Sequence, residues 1–102
     1  MVVLKLYDII WDEGNRAKCQ KHGVSIAEIE ALFRQSDVWV APDVRHSQQE
    51  KRHLAVGKLL NGRYVFVAFT LRAGFIRPIT ARFMHHKEIK QYEKEIANPE
   101  NG

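Results

Sequence analysis

The chain has 102 residues, a net charge of +4 and a sequence pI near 9.4, with 45% hydrophobic and 27% charged residues. That length suits one domain with a modest core. The single cysteine, Cys19, excludes an internal disulfide framework and points to a reducing cytoplasm. The longest apolar run, Tyr64–Phe69, is too short to span a bilayer, so no membrane role is expected. The opening MVVLKLYDII lacks the charged region and small-residue cleavage site of a signal peptide.

In chain order, Leu4–Trp11 is rich in β-formers and reads as a strand. Asp12 can cap a helix running to about His22, with Gly23 making the left-handed turn that follows it. Ser25 caps a second helix and Glu28, three residues on, completes a capping box. Val24 and Ile29 flank that cap as a hydrophobic staple, and Ile26, Ile29, Leu32 and Phe33 line one apolar stripe. A short strand is expected over Asp37–Ala41, ended by Pro42-Asp43, and a polar loop over Asp43–Glu50. Arg52–Leu60 reads as a strand, and Asn61-Gly62 signals a type I′ hairpin turn. Tyr64–Leu71 is apolar on both faces, as a central strand is. After a turn at Ala73-Gly74, Phe75–Arg82 forms a strand in which Pro78 requires an edge position or a bulge. A last helix runs from about His85 to Ile96, with Ile89, Tyr92 and Ile96 on its packed face. The order β-α-α, antiparallel strands, then a C-terminal helix defines an α+β domain over residues 1–97, followed by a frayed tail over 98–102.

Positive charge is gathered on the strands. The stretch from Lys58 to Arg82 contains Lys58, Arg63, Arg72, Arg77 and Arg82 and no acid, which suits an anionic partner or simply a solvated basic surface. In an unbroken strand Arg77 and Arg82, five apart, face opposite sides. Arg82, at a strand end, can reach a phosphate over the sheet or pair with an acid such as Glu88. Lys21-His22 at a helix end can supply a base and a cation, or serve only the helix terminus. Among the five histidines there is no H-E-x-x-H motif, and adjacent His85-His86 point about 100° apart on a helix, so no metal and no cofactor are expected. His85 caps the last helix or faces the basic surface. Phosphate-binding glycine loops are absent, and Cys19 reads as a buried inert thiol. Ala17–Phe33 has the outline of a helix-turn-helix, but its second helix opens Ser25-Ile26-Ala27-Glu28, and Glu28 and Glu30 repel phosphate.

Several pieces then fall in one order. They are Tyr7-Asp8-Ile9-Ile10-Trp11-Asp12-Glu13, Lys21-His22-Gly23-Val24-Ser25, Asp43…His46-Ser47…Glu50-Lys51-Arg52, Gly57, Thr70…Arg72, and Ile79-Thr80-Ala81-Arg82…Lys87-Glu88…Tyr92-Glu93. Together they resemble the BrnT-type toxins from about Tyr7 to Glu93. The resemblance implies a RelE-like fold and a metal-independent ribonuclease that arrests growth. It also implies a ribbon-helix-helix antitoxin, through which alone the toxin meets operator DNA. In such an enzyme the RNA 2′-OH attacks the phosphate, with Lys21 or His22 in proton transfer and Arg52, Arg72 and Arg82 holding phosphate. Lys58, Arg63, Arg77 and His85 would bind RNA along the strand. The competing expectations are a non-catalytic interaction module on the same fold and a helix-turn-helix DNA-binding protein.

Overall fold

The computed structural model describes residues 8–35, 38–43 and 50–97. The expected strand at residues 4–7, the polar loop over 44–49, the tail from 98 and the packing of Ile96 lie outside those residues. Helix α1 spans Glu13–Gln20 and helix α2 Ile26–Arg34. Both begin with a full capping box: Asp12 with Asn15 in the first, Ser25 with Glu28 in the second. Strands β1 (Trp39–Pro42), β2 (Arg52–Lys58), β3 (Tyr64–Arg72) and β4 (Phe75–Phe83) follow, then helix α3 (His86–Ala97). The four strands form an antiparallel meander in the order β1-β2-β3-β4.

The apolar stripe of α2 enters the core as its spacing predicts. Ile29, Leu32 and Phe33 are buried with Val24 and Cys19 against Val65, Val67 and Phe69 of β3, and Phe33 meets Phe69 edge-on at 5.1 Å. Helices α1 and α2 therefore cover the sheet face carrying the odd-numbered residues of β3. The C-terminal edge of the sheet is extended by residues 8–10, where Ile10 N–H donates to Ile76 and Ile76 N–H to Asp8.

The turns differ from their sequence reading. At Asn61-Gly62 only Gly62 has positive φ, at 87°. Gly62 N–H returns to the Leu59 carbonyl, and Leu59 N–H to Arg63, so this is a three-residue loop closed by a left-handed glycine. The two-residue hairpin with both central residues at positive φ lies instead at Ala73-Gly74, at 51° and 83°. Space for it comes from the direct pairing of Arg72 with Phe75.

Pro78 sits at a bulge in β4, the last of the four strands, two residues past the Ile9–Ile76 bridge. Ala68 pairs with Thr80 but Phe69 pairs with Pro78, leaving Ile79 as the extra residue. Because of that insertion, Arg77 registers with Thr70 and Arg82 with Phe66, four residues apart on β3. The two arginines therefore share a face, where an unbroken strand would separate them. Buried Asn15 holds the bulge to the helix layer. Its Nδ2 donates to the carbonyls of Ile10 (2.9 Å) and Pro78 (3.0 Å), while its Oδ1 accepts the Asp12 N–H (2.7 Å). Asn15→Ala should cost roughly 2–3 kcal/mol in urea denaturation, since it unmakes the cap and leaves buried carbonyls unpaired. A loss below about 0.5 kcal/mol, the size of an ordinary surface change, would contradict this role.

Candidate functional site

The face turned away from α1 and α2 is built of rungs set by register. Trp39, Val56, Phe66 and Arg82 form one; Ala41, Leu54, Ala68 and Thr80 the next; Arg52, Thr70 and Arg77 the third. Arg72 lies beyond, paired with Phe75. The first and third rungs are four residues apart along β3, about 13 Å. An uncharged middle, apolar but for Thr80, thus separates two arginine-bearing ends.

At the near end α3 closes over the sheet. Tyr92 packs edge-on against Trp39 (6.2 Å) and Tyr64 (5.9 Å). The Arg82 guanidinium lies 4.8 Å from the Phe66 ring centroid and forks onto both oxygens of Glu88 at 2.7 Å. Glu88 also accepts the N–H of His85, the residue before α3, at 2.8 Å, and so caps the start of that helix. The acid weighed as an alternative partner for Arg82 is therefore present. Arg82, together with the His85 amide, brings the Glu88 carboxyl down to about 2.

At the far end, Arg72 forks onto Glu50 at 2.9 and 3.0 Å, and Arg77 pairs with Asp12. Both carboxylates are held below their ordinary range by these guanidiniums. Arg52 is likewise engaged. Between Arg52 and Arg77, Thr70 is 2% exposed, and among the described residues its hydroxyl has no hydrogen-bond partner. Sequence reading missed Thr70 as a site residue. Period-2 alternation along Tyr64–Arg72, which puts Thr70 on the face of Arg72, is the signal that would have found it.

Of the other candidates, Lys21, His22 and Arg63 do not join these arginines, whereas Lys58, register partner of Tyr64, lies on their face one rung beyond Phe66. Lys21 and His22 are exposed where α1 turns into α2, in the helix layer. Arg63 lies 3.4 Å from the Phe83 ring centroid, near Glu28, whose carboxyl is lowered first by the Ser25 amide and only last by the Arg63 charge. Lys58 sits 5.7 Å from the Tyr64 ring. Glu28 itself is committed to the α2 cap, and Glu30 accepts the Trp11 indole N–H at 3.1 Å. Cys19 is fully buried and its thiol is pushed up to about 11 by that burial. Among the described residues no group of three or more His, Cys, Asp or Glu is placed to hold a metal ion, and no helix is long and apolar enough to cross a membrane.

A family model for ribonuclease toxins of type II toxin–antitoxin systems matches residues 11–88, the larger part of the chain. The matched stretch runs from the Trp11–Glu30 contact through both arginine-bearing rungs to Glu88. That model is of the BrnT toxins, and the chain belongs to this family. A comparison with curated proteins found no match.

The Glu88 shift has a pH consequence. Its folded value, about 2, lies below the ordinary 4.5, so its contribution to stability is complete above about 4.5 and is lost as pH falls toward 2. Glu88→Gln should melt below the parent at neutral pH, and the gap should close between about pH 4.5 and 2. Asp12, Glu28 and Glu50 are shifted the same way and keep the variant acid-sensitive. Parallel melting curves for parent and variant across that window would mean that the fork carries no folding energy.

Proposed function

We propose that the chain cleaves RNA without a metal ion, with the scissile phosphate over the Arg52–Thr70–Arg77 rung. The supporting observation is that rung: a buried hydroxyl with no partner among the described residues, between two guanidinium-bearing residues of one sheet face. An unmade buried hydrogen bond costs about 1–3 kcal/mol, and a phosphate or 2′-OH oxygen would satisfy it once the atoms that shield the hydroxyl from solvent are displaced. Arg52, Arg72 and Arg77 offset the extra negative charge that develops as the 2′-OH attacks phosphorus, and Arg82 holds a neighbouring phosphate. Lys58 and His85 extend the basic track, with Arg63 at the β2–β3 turn. Lys21 and His22, the proton-transfer candidates of the sequence, lie in the helix layer away from this rung and define the competing site at the α1–α2 corner. The fold is read as a RelE-like arrangement, and the protein as a cytoplasmic growth-arresting toxin. Its antitoxin, of ribbon-helix-helix type, covers the basic face and alone contacts operator DNA. A disordered acidic segment would suit that cover, since complementary charge speeds the encounter.

Cleavage of single-stranded RNA should persist in excess EDTA and leave 2′,3′-cyclic or 3′-phosphate ends. Activity lost in EDTA and restored by magnesium or zinc would rule the mechanism out. Thr70→Val should fold with unchanged or raised stability, because a buried hydroxyl with no partner among the described residues is removed. It should cut RNA roughly tenfold to a hundredfold more slowly. A Thr70→Val enzyme at the parental rate would place the chemistry elsewhere, and a dead His22→Ala variant would then move it to the helix corner.

A further inference from the structure

We propose that the groove between α3 and the Trp39–Phe66 end of the sheet receives one unpaired RNA base and thereby sets where the chain is cut. The proposal rests on the ribonuclease reading and names the base-reading part of that site. The groove has a volume of about 330 Å³, at the small end of the range for small-molecule sites. Its floor is aromatic and apolar, from Trp39 and Phe66, with Tyr92 as a wall. Its rim is polar, from Lys87, Gln91 and Glu95 of α3. Gln91 Nε2 donates to Glu95 Oε1 at 3.1 Å, so the rim presents an amide oxygen and a carboxylate oxygen side by side, with the Lys87 ammonium on the same helix. An unpaired base has the matching chemistry: a π-face to stack and an edge of donors and acceptors to bind.

Position supplies the second argument. Phe66 and Arg82 are register partners on one rung, and the guanidinium already lies over the Phe66 ring. A base stacked beside Phe66 brings its own phosphate to the one arginine on that rung. Arg82 would meet the anionic backbone in competition with Glu88, which also lines the groove, while the uncharged floor meets the base. An aliphatic side chain of a protein partner would fill the floor but leave the Gln91 and Glu95 acceptors unused.

The test uses the full chain, with its two indole N–H signals resolved by nitrogen-15 NMR. Adding AMP, GMP, CMP or UMP should shift the Trp39 indole signal saturably for at least one nucleotide and leave the Trp11 signal in place. Tyr92→Leu should weaken that binding about tenfold, the value of one lost stacking contact. In parallel, cut sites on random-sequence RNA should show a base preference at one position beside the cut. Gln91→Ala, an exposed change, should relax that preference about tenfold. A Trp39 signal unmoved by all four nucleotides, or identical cut-site preferences in parent and Gln91→Ala, overturns the proposal. So does loss of antitoxin binding in Gln91→Ala with unchanged cut sites, which would assign the groove to the partner protein. A chain that shows nucleotide binding at Trp39 but cuts no RNA defeats the ribonuclease reading and not the base pocket.

Discussion

Everything on the sheet face depends on how Asn15 fastens the β4 bulge to α1. A proline in β4 removes one ladder donor, and the extra residue Ile79 turns the Pro78 carbonyl out of register. A buried carbonyl without a donor is costly, and Asn15 removes that cost with the same amide that serves Ile10 and closes the α1 cap. The side chain thus ties α1, the residues before it and β4 together through three hydrogen bonds. The consequence appears across the sheet. With the bulge in place Arg77 and Arg82 lie on one face; without it the strand would turn one of them into the core.

The second organising feature is that the arginines arrive already paired. Arg72 has Glu50, Arg77 has Asp12 and Arg82 has Glu88, and each carboxylate comes from outside the strand that carries the arginine. The exposed pairs contribute little to stability. Their effect is to fix the guanidiniums in place and to make an incoming phosphate compete with a carboxylate. Arg82–Glu88 differs, because Glu88 also caps α3. A ligand that drew Arg82 off Glu88 would loosen the helix that walls the aromatic groove, because Glu88 also caps that helix.

Much of this was legible in the sequence, for identifiable reasons. The α2 cap, its staple and its apolar stripe are local patterns, and local patterns survive into the fold unchanged. Pro78 announced a bulge because proline cannot donate, and β3 announced its central place by being apolar on both faces. The hairpin at Asn61-Gly62 was misread because the dipeptide is compatible with two loop lengths, and only strand register chooses between them. The candidate site was half legible. The basic character of Lys58–Arg82 is a matter of composition, but its division into Arg82 with Glu88, Arg72 and Arg77 with Glu50 and Asp12, and Arg63 beside α2 is not. Nor could spacing show that Lys21 and His22 belong to the helix layer or that Thr70 is buried between arginines. Those are long-range facts, set by which face each strand turns to the helices.

The central claim is that RNA lies on the face away from α1 and α2. The most direct measurement is the backbone amide NMR map of the chain with a 2′-O-methyl RNA oligonucleotide, which binds but cannot be cut by its own 2′-oxygen. The account predicts that the largest shifts fall at Arg52, Thr70, Arg77 and Arg82, with small changes at Lys21, His22 and Gly23. Shifts concentrated at Lys21–Gly23, with the strand arginines unmoved, would contradict it and place the RNA on the helix layer.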